Sequence, residues 1–280
     1  MPHLPTPIAR RARHGLAWLL AAWLLIAAAH AAPAPDTVQL EDLTWTELRG
    51  ALQAGKTTAL IPIGGTEQSG PYLALGKHNA RARALAERIA RALGDALVAP
   101  VVAYVPEGSI APPSAHMRFA GTISVPAGAF EQTLTAAAQS LQAHGFRTIV
   151  LLGDHGGYQA SLARVAQRLD QAWRGKGVRA LAPHAYYQAS SSGFAALLRA
   201  RGYGAEEIGT HAALADSALQ LALAPDTVRA AALRDAPAPT PGDGIHGGNP
   251  RRASAALGEL GAELIVSRTV EAIRHAVPAR

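Results

Sequence analysis

The stretch RTIVLLGDHGG, residues 147–157, limits what this chain can fold into more than any other segment. Its first part is an unbroken aliphatic run with no polar position to turn toward water. A strand of that kind belongs inside a parallel sheet covered on both faces. It then breaks into an aspartate, a histidine and two glycines, which are poor material for a core. A second segment repeats the pattern. TTALIPIGGTEQSG runs from a buried strand through Gly64-Gly65 to a carboxylate at Glu67, and His78 follows. Ligands of open parallel sheets bind beyond the carboxyl ends of the strands. The two polar clusters are therefore expected to face one crevice.

The remaining pattern supplies the covering layers. Apolar residues at helical spacing predict helices over 44–55, 80–94, 129–145, 159–175, 209–224 and 253–275. Further strands are expected over 96–105, interrupted at Pro100, and over 178–186. Residues 106–128 and 236–252 are rich in Pro and Gly and read as loops. A connection as long as the first is uncommon in a compact domain and is often functional. Strands alternating with helices give an α/β fold with a mostly parallel sheet. At 280 residues the chain has room for one such domain, expected over 32–280.

Charge and cysteine content exclude several classes. The formal charge is +6, but Arg10, Arg11 and Arg13 supply part of it, and no dense Lys/Arg patch carries interleaved aromatics. Nucleic acid is not an expected partner. Those arginines precede the apolar run LAWLLAAWLLIAAA and the small-x-small triplet Ala29-His30-Ala31. That is the three-part pattern of a secretory signal peptide over 1–31, cleaved after Ala31. The apolar run is short for a membrane span, which needs about 20 apolar residues. The mature protein is expected in the periplasm or secreted, with no membrane attachment. Cys is absent, so neither disulfides nor thiolate metal sites are possible.

With thiolates excluded, a divalent ion would need imidazole and carboxylate ligands. Glu67, His78, His155 and Asp216 form the candidate group. Each also has a simpler reading. Glu67 can cap the following helix, His78 can lie on a helix surface, and Asp216 can be an exposed helix carboxylate. His155 is the hardest to explain without function, since it sits between an aspartate and two glycines at the end of an apolar strand. His116 and His246 are loop histidines; either can line the cleft, with solvent as the default surroundings.

Five segments in order resemble the creatininase family. IPIGGTEQSGPYLALGKHN is similar to its G-S-T-E-Q-H-G-P-H-L-P-L-G-T-D, and AHMRFAGTISV to its H-x-x-F-P-G-T-x-S-L. IVLLGDHGGYQ resembles the strand leading to N-G-H-G-G-N. GTHAALADSALQLALAPDTV resembles H-A-G-x-x-E-T-S, and GIHGGNPRRASAALGELG the glycine-rich tail motif. The resemblance implies a three-layer α/β/α sandwich, a divalent metal (zinc or manganese), amidohydrolase chemistry on C–N bonds, and a homo-oligomer, often a hexamer. It places the family's glutamate ligand on Glu67 and its strand-end histidine on His155. Three positions depart: the family's histidines fall on Ser69 and Tyr72, and its metal-bridging aspartate falls on His78. A neutral imidazole cannot bridge two cations, so one ion is expected rather than two. Glu67, His78 and His155 would hold it. Asp216 would be a further ligand or would orient a ligand, and His211 would protonate the leaving nitrogen. The expected substrate is a small amide, cyclic or not. The alternative is a non-catalytic protein that binds a small ligand or metal on the same fold.

Overall fold

Four short strands form the centre, each closed off by a turn residue or proline. In the computed structural model, which describes residues 35–277, they are β1 (Thr58–Ile63), β2 (Ala96–Val98), β3 (Thr148–Gly153) and β4 (Arg179–Leu181). All pair in parallel, in the order β2-β1-β3-β4. Every residue of β1 and β3 is buried, including the threonine that opens each strand, Thr58 and Thr148. Alternate residues serve opposite faces. Leu60, Val98, Val150 and Leu152 join one apolar cluster, while Ala59, Ile61, Ile149 and Leu151 join the other.

Helices cover both faces, giving a three-layer α/β/α sandwich with a mostly parallel sheet. One side carries α1 (Trp45–Gln53), α3 (Ala127–Ala143) and α4 (Gln159–Ala172). The other carries α2 (Lys77–Leu93), α5 (His184–Gln188), α6 (Phe194–Arg199), α8 (Leu214–Leu223) and α10 (Ala255–Ala276). The short α7 (Ala205–Ile208) leads into β5 (Gly209–His211), which pairs antiparallel with β6 (His246–Gly248) beside the sheet, and α9 (Ala230–Arg234) lies between them in the chain. Thr44 and Glu47 form a reciprocal capping box at the start of α1, a reason for that helix to begin where it does.

Four boundaries differ from the sequence expectation. β2 stops at Val98, well before residue 105, because Pro100 cannot donate to a ladder. The strand expected over 178–186 ends at Leu181, and Pro183 opens α5 instead. The helix expected from 209 begins only at Leu214, because Gly209–His211 pair with β6. α2 begins at Lys77, so His78 lies in its first turn and not on a preceding loop. α5 runs into α6 through a π turn over Ala189–Gly193, where sequence reading assigned nothing.

The signal peptide expected over 1–31 lies outside the described residues. Residues from Thr37 onward make one compact unit. Among the described residues no helix is long and apolar enough to cross a membrane.

Candidate metal centre

The register of the sheet brings the two polar clusters together. Ile63 at the end of β1 pairs with Gly153 at the end of β3, and Asp154 N–H donates to the Ile63 carbonyl at 3.0 Å. The chain then needs its glycines. At Gly65, with φ of +150°, an added Cβ would stand 2.5 Å from Glu107 Oε1, so a side chain there would displace a buried carboxylate. Gly65 N–H is held by Asn79 Oδ1 at 2.9 Å, which ties the Gly-Gly turn to the start of α2.

Glu67 is fully buried, and four histidines surround its carboxylate. His78 Nε2 is 2.8 Å from Oε1 and His211 Nδ1 is 3.7 Å from the same oxygen. His116 Nε2 and His155 Nε2 lie 3.2 and 3.5 Å from Oε2. Two groups of three have all their ligand atoms within 4.8 Å of one another: Glu67, His78 and His155, and Glu67, His116 and His211. The three residues expected to share an ion therefore meet. Sequence reading left His116 to solvent; the turn over Ala115–Arg118 in the long loop carries it inward instead. The residues flanking the second pair of histidines, Ala115 and Ala212, both have positive φ (47° and 53°).

Behind the histidines lies a second ring of groups. His78 Nδ1 is 2.5 Å from Asp154 Oδ2, and His155 Nδ1 is 3.5 Å from Glu107 Oε2. Each of these imidazoles turns Nε2 toward Glu67, but their backing differs. His78 Nδ1 bonds a carboxylate, the arrangement that orients histidine ligands of metals, whereas His155 Nδ1 accepts from Gly157 N–H at 3.2 Å with Glu107 beside it. His116 is backed by the opposite chemistry. Gln68 Oε1 accepts from Gly70 N–H at 3.0 Å, so its Nε2 faces His116 Nδ1 at 3.0 Å as a donor. The proton of neutral His116 is then on Nε2, pointing at Glu67, and that nitrogen has no lone pair for an ion. His211 Nε2 sits 3.0 Å from the Gln68 main-chain oxygen and 3.1 Å from Gln68 Nε2.

Asp216, expected as a ligand, lies outside both groups. Its oxygens accept from Lys77 Nζ at 2.8 Å, Arg81 Nη1 at 2.7 Å and Ala212 N–H at 2.8 Å. It makes no hydrogen bond or ion pair with Glu67 or the site histidines among the described residues. Two buried cations on α2 take its charge, and the place expected for it on the ion is not the one it occupies. Lys77, Arg81, Glu107 and Asp154 were not legible as site residues. The Asp-His dipeptide at the end of β3 was the available signal for Asp154. Arg81 belongs to an arginine-rich helix whose other arginines, such as Arg91, face water, and nothing in the pattern separates it from them.

Burial and charge set the protonation states. Burial alone would raise the Glu67 carboxyl, but the His78 hydrogen bond and neighbouring positive charge hold it well below the usual range. Burial, reinforced by the charge of Glu67, pushes Glu107 up to about 9. Burial lowers His155 to about 4 and His211 to about 3, Lys77 adding to the second shift. Lys77 and Arg81 outweigh burial at Asp216 and hold it well below the normal carboxylate range. The imidazoles of His155 and His211 are therefore neutral at pH 7, as ligation requires. Glu67 Oε2 and both oxygens of Glu107 are buried without a hydrogen-bond partner. Such groups are costly to leave unmatched. An ionised carboxylate with a buried oxygen to spare, beside the neutral imidazole of His155, fits a divalent ion.

The creatininase family model, described as creatinine amidohydrolase, matches residues 41–273. The chain belongs to the creatininase family. Its sequence is 35% identical over 112 residues to the mycofactocin precursor peptide peptidase of Mycolicibacterium smegmatis, covering 38% of this chain and 43% of that protein. It is 28% identical over 138 residues to the creatinine amidohydrolase of Pseudomonas putida, covering 49% of this chain and 51% of that one. The chain thus spans about half the length of the curated relatives it matches. A creatinine amidohydrolase crystal structure superposes with a TM-score of 0.71 at 23% identity, over 88% of this chain and all of that one. A manganese form of creatininase superposes at 0.68 with 24% identity, over 87% of this chain and all of that one. A zinc–zinc form superposes at 0.67 with 23% identity, over 88% of this chain and all of that one. At these identities the structures establish the creatininase fold.

Proposed function

We propose that this creatininase-family chain is an exported metal-dependent amidohydrolase that hydrolyses a C–N bond, using one divalent ion, zinc or manganese. The observation that carries the reading is the convergence of Glu67, His78 and His155, with Asp154 and Glu107 behind the two imidazoles. An ion held by those three would polarise the substrate carbonyl and lower the pKa of water beside it.

Charge balance supports one ion. Glu67, Asp154 and Asp216 bring three negative charges to the buried site, against the two positive charges of Lys77 and Arg81. Glu107 holds its proton while the site is metal-free. One dication, with Glu107 ionising behind His155 as it binds, brings the site to neutrality. A second dication would leave two buried positive charges unmatched, and unpaired buried charge is expensive.

His211 is the proposed proton carrier. With its Nε2–H donated to the Gln68 main-chain oxygen, its bare Nδ1 faces Glu67. That atom takes the proton released as the water oxygen bonds to the carbonyl carbon, and passes it to the nitrogen as the C–N bond breaks. Asp216 acts at one remove, by fixing Lys77, Arg81 and the turn after His211. Export rests on the N-terminal basic, apolar and Ala29-His30-Ala31 sequence. Self-association into a homo-oligomer is supported by the exposed apolar side chains Leu75, Tyr104 and Ile123.

The test is hydrolysis of an amide panel, from small cyclic amides to short peptides, by protein stripped of metal and then reloaded with zinc or manganese. Turnover that requires the ion and is lost in His155→Ala and His211→Ala supports the reading. Ser69, whose buried hydroxyl has no partner where the family carries a histidine, favours one alternative, a metal-binding protein without catalysis. An ion bound at Glu67, His78 and His155 with no turnover across the panel would establish it.

A further inference from the structure

The crevice extends far beyond the histidines. A cavity of about 810 Å³ opens from His155 and His211 and continues along the helical segment that begins at α5, near the upper end of the range for small-ligand sites. Tyr187, Ser191, Ala195 and Arg199 line it, spaced at four-residue intervals, so they form one stripe. The near end is fixed beside the metal centre, since a Cβ on Gly156 would stand 2.5 Å from Tyr187 Oη. The far end is Arg199. At a rise of 1.5 Å per residue the stripe is about 18 Å long. An extended chain covers that in about five residues, and a single small ring would leave most of it empty.

The lining changes character along this length. At the inner end Asp154 and Asp216 are matched by Arg81 and Lys77. In the middle, the π turn turns serine oxygens toward the cavity. Ser190 and Ser191 donate their hydroxyl hydrogens to the Tyr187 carbonyl, at 3.0 and 2.6 Å. What they offer a ligand is therefore lone pairs, which suit amide N–H groups. At the outer end stands Arg199, and Arg118, from the turn that carries His116, lines the same cavity. Both are exposed, and neither side chain makes a hydrogen bond or ion pair with any described residue. Among the described residues no carboxylate lines the cavity besides Asp154 and Asp216. Guanidinium groups without acidic partners in one groove make it a fitting receptor for a carboxylate.

We propose that the guanidinium groups lining this cavity, Arg199 at its far end and Arg118 on the His116 turn, make it an anion-binding subsite, and that the substrate is a short, extended peptide-like amide with a carboxylate several residues from the bond that is cut. This rests on the hydrolase reading for the cut itself, and not for the binding. The probes are alanine peptides of two to six residues, each prepared with a carboxylate at neither end, at the amino end (succinyl), at the carboxyl end, or at both. Binding to metal-loaded protein is measured by calorimetry, and cleavage by mass spectrometry. For at least one length, the carboxylate form is expected to bind about tenfold or more tighter than its neutral counterpart. That preference should vanish in Arg118→Ala/Arg199→Ala, shrink with added salt, and survive in Arg118→Lys/Arg199→Lys. Metal content should be unchanged in all of these variants. Equal affinities for neutral and charged peptides, no binding of any member at millimolar concentration, or a preference indifferent to the alanine variants would overturn the subsite. Carboxylate-dependent binding without cleavage would leave the subsite standing and remove the hydrolase reading. Cleavage without any carboxylate preference would do the reverse.

Discussion

Glu107 is the residue whose environment is hardest to explain without an ion. It is buried, both oxygens lack hydrogen-bond partners, and it stands 3.5 Å from His155 Nδ1, where it would orient the ring once an ion on Nε2 moves the imidazole proton to Nδ1, which now accepts from Gly157 N–H. Glu107→Gln keeps shape and burial but cannot accept an imidazole N–H as a carboxylate does. Zinc affinity is expected to fall about 10- to 100-fold, with little change in melting temperature, when competitive chelator titration is set beside thermal unfolding. The depressed histidines set a pH window. Protons compete with an ion for imidazole, and an ordinary histidine would begin to lose its ion near pH 6.5. Burial lowers His155 to about 4, so its lone pair stays free well below that point. At saturating ion, metal occupancy is expected to hold from pH 8 to about 5, while affinity falls with pH because Glu107 gives up its proton on binding, and occupancy falls toward pH 4. Loss centred on pH 6.5 would contradict the burial argument. Glu67 and His155 were legible in the sequence because strand-end position and flanking glycines isolate them. His116 was not, because its inward path depends on the backbone of a long loop, with Ala115 in the left-handed region. Glu107 lies in that same loop, and burial of a loop carboxylate has no one-dimensional signature.

At the scale of elements, α2 is joined to α8 by charge. Lys77 is fully buried and bonds Asp216 at 2.8 Å, beside the Arg81 contact to the same carboxylate. Lys77→Met removes one partner of a buried pair and is expected to cost about 3–5 kcal/mol, read as a shift in the urea midpoint. α8 and α10 meet more closely than side chains would allow. A Cβ added at Gly258 would run into the backbone of Ala218 and lie 2.9 Å from Ala222 Cβ. Gly258→Ala should therefore destabilise by about 1–3 kcal/mol through overpacking, and it should leave metal affinity unchanged because the contact lies outside the site. The long elements were readable from the chain, since β1, β3, α4 and α10 carry full apolar periods. The short ones were not. β5 and β6 pair through only one residue couple, His211 with His246, and glycine-rich segments give no period to detect. The π turn was equally hidden, because ASSSG reads as a break while the surrounding packing keeps it helical.

At the scale of the whole molecule, one expectation concerns the N-terminal segment outside the sheet. Expressed with its natural N-terminus in a bacterial host, the chain should be recovered from the periplasm or medium beginning at Ala32, as mass spectrometry of the mature protein would show. Recovery of an uncleaved chain from the cytoplasm would contradict export. The layer order and the meeting of two strand ends were legible because parallel strands place their carboxyl edges together by geometry alone. The count of charges around Glu67 was not, since it depends on which lysine, arginine and acid are buried. That count underlies the central claim, that Glu67, His78 and His155 jointly hold one divalent ion. Its most direct test is metal content per chain, by plasma mass spectrometry after equilibration with zinc or manganese and gel filtration. The account predicts one equivalent in the wild type, and none in Glu67→Gln, His78→Ala or His155→Ala when these remain folded. Two equivalents, a wild type that stays metal-free, or full occupancy in those variants would contradict it.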